Sequence, residues 1–475
     1  MIARHRNPAL LFAAAVIYLS GCTVGPKYVR PTSDVPSDFK EAGNWKPAQP
    51  NDEFTKGTWW KIYQDPQLDA LEDQISVSNQ TLKISQAQFA EARAAVKISR
   101  AGFFPTVTGG LSATHYSQSL NRPFLSTKTS YQDYVLPVDV SYEPDVWGRV
   151  RRTVEASRSE AQASAADLAN VELSIRAELA FDYFTLRGLD AQKALLDSTV
   201  ISYQKALDLT TTRYKGGLAS AVDVAQAQTQ LETTRALAID VGVSRAAFEH
   251  AIAVLIGKPA SEFSLPPMPL ATPPPGIPPE LPSELLERRP DIAAAERRVQ
   301  EANAQIGIAK AAYFPLFSLT GTGGLESAAI STLIQGPSAF WTLGGAAAQT
   351  IFEAGARRGA LNQAYALRNQ AVATYQQTIL TAFQEVEDNL AALRILQDEA
   401  HTEDAAVAAA QHSLALSITR YKGGIANYLE VTTAQSAALA DEVTSVNILT
   451  RRMTSSVQLV KALGGGWNVS QIPRV

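Results

Sequence analysis

The pentapeptide RYKGG occurs twice in this chain, at residues 213–217 and again at residues 420–424. Its flanks repeat as well, with TTTRYKGGLASAVDV around the first copy and SITRYKGGIANYLEV around the second. Two adjacent glycines can end a helix and let the chain reverse. Each copy therefore predicts the tip of a helical hairpin, and the duplication predicts two hairpins of the same kind.

Long stretches without proline surround both copies. No proline occurs at residues 145–258 or at residues 338–472. Ala, Leu, Gln, Glu and Arg fill these stretches, and apolar residues recur at intervals of three and four, as on one face of a helix. The sequence predicts helical hairpins over 148–256 and 356–463. The first helix of such a hairpin can extend for about 100 Å at 1.5 Å per residue.

Other segments show the same duplication. SRAGFFP at 99–105 corresponds to AKAAYFP at 309–315, and in both the proline stops a preceding helical stretch. The chain is therefore predicted to consist of two tandem structural repeats. The repeats span 61–265 and 283–465, with a proline-rich linker at 266–282 and a C-terminal tail at 466–475.

Each repeat also carries two segments rich in Thr, Val, Tyr, Gly and Ser, which is typical of strands. The four predicted strands lie at about 106–118, 130–142, 316–326 and 340–352. Their length suits tilted strands that span a membrane. Four strands are too few to close a barrel, and an open edge in lipid leaves backbone groups unpaired. Strands in lipid therefore require the chain to oligomerise, and soluble β-hairpins on a coiled-coil rod are the alternative.

The N-terminus has the features of a bacterial lipoprotein. Two arginines precede an apolar run that ends at LSGC, whose cysteine is residue 22. Such a run is too short to span a bilayer and is typical of a signal peptide. We predict a signal peptide at 1–21, acylation of Cys22 and a tether at 22–60, with a buried free thiol as the alternative for the cysteine. Thr23 stands where lipoproteins of the inner membrane typically have aspartate, which favours the outer membrane.

Composition argues against several classes of function. The formal net charge of −4 gives no basis for nucleic-acid binding. One cysteine and five scattered histidines provide no metal-ligand spacing, so we predict no metal site and no cofactor. GTGG at 321–324 resembles a phosphate-binding loop but lacks the strand-to-helix context, and a strand is the favoured interpretation. No motif places a nucleophile beside a base, so we predict that the protein is not an enzyme.

The order and spacing of these features resemble the TolC-like outer-membrane efflux factors, in their lipoprotein (OprM-like) branch. The resemblance rests on the LSGC segment followed by TVGP, the two aromatic-Phe-Pro stops, the internal duplication and the paired tips. It covers essentially the whole mature chain. It implies a homotrimer in which a 12-stranded membrane β-barrel continues into a long α-helical barrel across the periplasm.

The resemblance also implies a function and partners. Such trimers dock with a periplasmic adaptor and an inner-membrane pump, for which the resistance-nodulation-division type is expected here. Together they export drugs or other toxic compounds, and the outer-membrane component is a passive exit duct. The alternative is a lipid-anchored trimeric coiled-coil scaffold or adhesin without transport.

Two groups of residues follow from the resemblance, position by position. Leu429 corresponds to an apolar constriction of the pore, Glu430 to a ring of carboxylates, and Thr433 stands in the place of a second acidic ring. The tips that meet the adaptor are Gly216, Gly217 and Leu218 in the first hairpin and Gly423, Gly424 and Ile425 in the second.

A latch near the tips is implied as well. Tyr421 corresponds to a tyrosine that helps to hold relatives closed, and Asp223 corresponds to a latch aspartate. Arg420, in the second RYKGG, is included among the gate residues. Ala426 stands where TolC itself has the arginine that reaches this aspartate, so the chain departs from the family pattern at the latch.

Overall fold

The computed structural model describes residues 23–33, 35–42, 57–119, 121, 130–277 and 287–475. The predicted signal peptide and Cys22 lie outside the described residues, as do parts of the predicted tether and linker. The helices are α1 (Pro66–Ser78), α2 (Gln80–Ala101), α3 (Arg149–Lys215), α4 (Ala221–Leu255), α5 (Pro290–Ala311), α6 (Ala356–Lys422) and α7 (Tyr428–Ala462). The strands are β1 (Thr106–Gly109), β2 (Ser112–Ser117), β3 (Ser130–Tyr142), β4 (Leu316–Ser327) and β5 (Ala339–Ala348).

Two helical hairpins of equal size make up most of the described chain. The outgoing helices α3 and α6 have 67 residues each, and the returning helices α4 and α7 have 35 residues each. At 1.5 Å per residue the outgoing helices are about 100 Å long. α3 packs against α4 in its own hairpin and against α7 in the other, so the two hairpins lie side by side.

The helical stretch that precedes the first strands is two helices rather than one. The break falls at Asn79, whose backbone is extended with ψ of 124°. The Asn79 side chain accepts a hydrogen bond from the Leu82 N–H at 2.8 Å and donates to the Leu255 carbonyl, at the end of α4, at 2.6 Å. This side chain thus caps α2 and satisfies a terminal carbonyl of a neighbouring helix. The tertiary contact explains the break that sequence periodicity does not predict.

All five strands form one antiparallel sheet. The strand order is β1-β3-β4-β5. β2 follows β1 along the same edge of β3, so both strands pair with β3. β1 and β2 keep the same register on β3, and Gly110 between them still donates its N–H to the Pro137 carbonyl at 3.0 Å. Because Pro137 has no N–H to return, the strand predicted over 106–118 is interrupted at this point.

The last strand is shorter than predicted. β5 ends at Ala348, four residues before the predicted limit of 352, and Ala348 pairs with Leu316, the first residue of β4. Pro315 precedes that residue and supplies no N–H to extend the pairing. The Thr350 carbonyl instead accepts a hydrogen bond from the Arg357 guanidinium at 2.6 Å.

The two faces of the sheet differ in polarity. On one face Val138 pairs with Gly323, and Gly323 pairs with Trp341, which is 77% exposed. On the opposite face Thr322 donates a hydrogen bond to Asp139 at 2.7 Å. The sheet therefore presents one apolar and one polar face. This pattern is typical of a sheet with an apolar environment on one side and water on the other.

Residues 321–324, the GTGG segment, lie inside β4. Gly324 packs against the neighbouring strand so closely that a Cβ there would lie 2.2 Å from the Leu136 carbonyl oxygen. The strand interpretation is confirmed, and the phosphate-loop interpretation is wrong.

The described part of the predicted tether, residues 23–33 and 35–42, lies along the helices as an N-terminal strap. Val24 donates its N–H to the Trp147 carbonyl at 3.1 Å, just before α3 begins. Arg30 donates to the Tyr375 hydroxyl at 3.3 Å, and two backbone N–H groups at the end of the strap donate to the Glu387 carboxylate. This segment is therefore docked on the protein over its described length, rather than free as its composition suggests.

The main apolar core draws on all seven helices. Its members include Leu68, Leu82, Leu179, Ile252, Ile292, Val386 and Val457. The C-terminal tail packs on a smaller cluster, with Trp467 and Ile472 against Ala166. None of the described helices combines the length and the apolar character needed to cross a membrane.

Candidate functional site

Both RYKGG segments end a long helix in a Schellman turn. In the first turn the Leu218 N–H donates to the Arg213 carbonyl at 2.8 Å and the Gly217 N–H donates to the Tyr214 carbonyl at 3.0 Å. The second turn has the same two bonds, at 3.0 and 3.1 Å. Gly217 and its counterpart Gly424 both have φ of +73°, a conformation that glycine adopts without a steric penalty. The second glycine of each pair is therefore required by the turn.

The tips present apolar side chains to solvent. Gly216 and Gly423 cap the long helices with φ of −87° and −74°, and the chain then turns outward. Leu218 is 71% exposed and Ile425 is 74% exposed. Because these two side chains bury little apolar surface within the chain, they contribute little to its folding free energy. The predicted docking residues thus lie together at the ends of the two hairpins.

Asp223 has a structural role that the resemblance does not suggest. Its carboxylate accepts a hydrogen bond from the Ser220 N–H at 2.9 Å, and its own N–H donates to the Ser220 hydroxyl at 3.1 Å. This reciprocal pair is a capping box at the start of α4. In the described chain Asp223 is thus a helix cap.

Tyr421 contacts Arg213, which belongs to the other hairpin. The Arg213 guanidinium lies over the Tyr421 ring, 4.9 Å from its centroid, and donates to the Lys422 carbonyl at 2.9 Å. Tyr421 is 4% exposed, whereas Tyr214, its counterpart in the first RYKGG, is 48% exposed. The two identical pentapeptides therefore have different surroundings.

A second aromatic residue completes the environment of Tyr421. The Tyr428 ring packs edge-on against it with a centroid distance of 5.2 Å. Burial and the neighbouring Tyr421 raise the pKa of Tyr428 to about 12. Ala227 and Val431 join the two tyrosines in one apolar cluster that includes residues of all four hairpin helices. The Tyr428 hydroxyl therefore stays neutral at physiological pH.

The residues predicted to narrow the pore lie on the first turns of α7. Leu429 is 54% exposed, and Thr433, one turn further along, donates its hydroxyl to the Leu429 carbonyl at 2.9 Å. The carboxylate of Glu430, which the resemblance assigns to a ring of carboxylates, lies 3.1 Å from the Arg420 Nε, so it is paired within the same hairpin. Ala426 carries no group that can form the latch salt bridge.

Two of these features left signals in the sequence. Ser220 followed three positions later by Asp223 is the pattern of a capping box, which the sequence interpretation did not use. Arg213 was missed because both tips contain the same arginine. The sequences of the two repeats do differ at the start of the returning helix, where the first repeat has Ala221 and the second has Tyr428.

Comparison with known proteins shows the same organisation. The sequence profile of the family described as "Outer membrane efflux protein" matches residues 71–258 and again residues 281–465. The toluene efflux pump outer membrane protein TtgF of Pseudomonas putida is 31% identical over 473 residues, which are 98% of each chain. Outer membrane protein OprJ of Pseudomonas aeruginosa is 32% identical over 474 residues, 98% of this chain and 97% of OprJ.

A solved structure has the same fold. The outer-membrane channel OprN superposes with a TM-score of 0.88 at 28% identity, over 94% of this chain and 100% of OprN. The profile matches cover more than half of the chain, and the relatives extend over nearly all of it. The chain therefore belongs to the outer membrane efflux protein family.

Proposed function

We propose that three copies of this chain close a 12-stranded β-barrel in the outer membrane and continue below it as a helical barrel. This homotrimer is a passive exit duct in a tripartite efflux system. A periplasmic adaptor docks on the hairpin tips, and an inner-membrane pump, of the resistance-nodulation-division type, supplies the energy. Acylated Cys22 anchors each chain in outer-membrane lipid beside the barrel.

The sheet is the observation that carries this proposal. Within the described residues, β5 and the β1–β2 line each pair on one side only, so both edges of the sheet are open. One face is apolar and exposed, with Trp341 and Leu343 both 77% accessible. Open edges cannot remain in lipid because each unpaired backbone group there costs several kcal/mol. Copies of the same sheet, joined edge to edge, satisfy the edges and bury the apolar face in lipid at once.

The cargo class follows from the relatives. TtgF is named for toluene efflux, and we propose that this chain also passes small apolar or amphipathic compounds. A duct of this kind needs no binding site for its cargo, because selection takes place in the pump. The specificity of the duct therefore depends on which adaptor its tips bind.

A deletion strain tests the function. Loss of this chain is expected to lower tolerance to toluene and to apolar antibiotics, and a plasmid copy is expected to restore it. Purified full-length protein is expected to form ion-conducting channels in planar bilayers. A water-soluble monomer that forms no channels would contradict the proposal and favour a lipid-anchored scaffold.

We further propose that Leu429, Glu430 and Thr433 form the narrow end of the duct, with Arg420 as the partner of Glu430. Leu429→Ala is expected to raise single-channel conductance, because three leucines at one level exclude water without any charge. The exposed position of Leu429 means that the truncation leaves no internal cavity. Conductance equal to that of the wild type would place the constriction elsewhere.

The ion pair at this level allows a test with opposite outcomes. Glu430→Gln leaves Arg420 unpaired, so selectivity is expected to shift toward anions, whereas Arg420→Gln is expected to shift it toward cations. The pair is exposed and contributes less than about 1 kcal/mol to stability, so both variants should assemble. Reversal potentials in a salt gradient measure the shift. Equal reversal potentials for the two variants would remove this pair from the pore.

A further inference from the structure

Arg213 makes contacts that join the two hairpins of one chain at their tips. Its guanidinium stacks on Tyr421 at 4.9 Å and donates to the Lys422 carbonyl at 2.9 Å, and both residues belong to the other hairpin. Its Nη2 also lies 3.9 Å from the place that a Cβ on Gly424 would occupy. One side chain of the first tip thus stacks on Tyr421, hydrogen-bonds to Lys422 and lies beside Gly424 of the second tip.

The matching arginine of the second tip makes no such contact. Arg420 pairs with Glu430, which lies in the same hairpin. Tyr214, which corresponds to Tyr421, is exposed. The connection between the tips is therefore one-directional, from the first repeat to the second, although both repeats contain RYKGG.

The polar atoms at this contact are incompletely satisfied. The Arg213 Nε and the Tyr421 hydroxyl are both buried, and neither has a hydrogen-bond partner among the described residues. Buried polar groups without partners cost free energy. A movement that separates the tips breaks the Arg213 contacts but lets water reach both atoms. The observed arrangement of the two tips is thus held by Arg213, and the two unpartnered atoms favour a movement that separates the tips.

We propose that Arg213 is the positioning residue that keeps the two hairpin tips of each protomer together, in the place where the resemblance implies Asp223. The inference rests on the proposed function as an exit duct. When an adaptor or a pulling force displaces the second tip, the stacking on Tyr421 and the bond to the Lys422 carbonyl break together. Opening of the duct is therefore limited by Arg213, while Asp223 continues to cap α4.

Single-channel recording on the purified full-length trimer tests this inference. Arg213→Met keeps the aliphatic length but removes the charge and the donors. We expect its open probability to rise about tenfold or more, because each of three protomers loses a cation–π contact and a hydrogen bond. Lys215→Met is the control, since it removes an exposed positive charge two residues from Arg213 in the same pentapeptide, and its open probability should equal that of the wild type.

Three further variants separate positioning from general damage. Tyr421→Leu should open the duct as Arg213→Met does, and the double variant should open it no further, because both changes remove one interaction. Tyr421→Phe keeps the ring on which Arg213 stacks, so its open probability should stay well below that of Tyr421→Leu. Arg213→Lys keeps a charge without the planar guanidinium, so an intermediate open probability is expected, and it replaces Arg213→Met should the latter not assemble.

The outcomes distinguish the inference from the function. A wild-type protein that forms no channels would overturn the proposed duct. Channels that form normally, with Arg213→Met, Arg213→Lys and Tyr421→Leu all at wild-type open probability, would overturn the role of Arg213. An increase in Asp223→Asn with none in Arg213→Met would return the latch to the aspartate.

Discussion

A variant in which Leu218 and Ile425 both become aspartate is expected to lose export as completely as a deletion strain. Both side chains are exposed at the tips and contribute little to folding, so the trimer should assemble normally. At a packed contact with an adaptor, each aspartate becomes a buried charge without a partner. Such a charge costs roughly 3–5 kcal/mol, which is more than a hundredfold in affinity.

Tolerance assays and co-purification with the adaptor measure this effect. The matched control is Leu218→Met with Ile425→Met, which keeps both positions apolar and should retain export. These substitutions are cleaner than changes to Gly217 or Gly424, because any side chain at φ of +73° also strains the turn. Full tolerance in the aspartate variant, at normal trimer levels, would remove the tips from the docking surface.

Gly324→Val is expected to abolish assembly of the proposed barrel. A Cβ at this position would lie 2.2 Å from the Leu136 carbonyl oxygen and 2.9 Å from the Pro137 Cα, both of which are backbone atoms of β3. Backbone atoms cannot move aside by changing rotamer, as a side chain can. The loss of stability therefore exceeds the roughly 1–3 kcal/mol of an ordinary overpacked site. Heat-modifiable trimer in outer-membrane fractions should fall close to zero.

The neighbouring residue provides the control. A Cβ on Gly323 would meet its nearest atoms, in Phe340 and Trp341, at 3.7 and 3.9 Å, which are ordinary contacts. Gly323→Val also adds an apolar side chain to the apolar face, where strands favour valine. Its trimer level should match that of the wild type. Equal losses in both variants would mean that the sheet resists any side chain here, and the close approach of β3 would not be the cause.

Local chemistry made much of this fold predictable. Proline-free helices, paired glycines and the Phe-Pro stops act within a few residues, so sequence alone indicates where helices turn and where strands begin. Pro137 acts across strands, because its missing N–H interrupts β1 and β2 rather than its own strand. That effect depends on register, which the sequence does not reveal.

The candidate site was less predictable for the same reason. The glycines of the tips belong to the pentapeptide itself, and the apolar residues directly follow it. The partner of Tyr421 depends on how α3 is rotated toward α6, and the partner of Glu430 depends on the rotamer of Arg420. The docked strap escaped prediction because its hydrogen bonds go to residues about 350 positions away, such as Glu387.

The matched lengths of the two hairpins limit how this chain can evolve. α3 and α6 have 67 residues each, so the two tips stand at one height and face each other at a fixed angle. Deleting a single residue from α3 would raise its tip by about 1.5 Å and rotate it by about 100°, which turns Arg213 away from Tyr421. Insertions and deletions in these helices should therefore persist in descendants only as matched pairs, one in each repeat. Substitutions can accumulate independently in the two copies, but changes in length cannot.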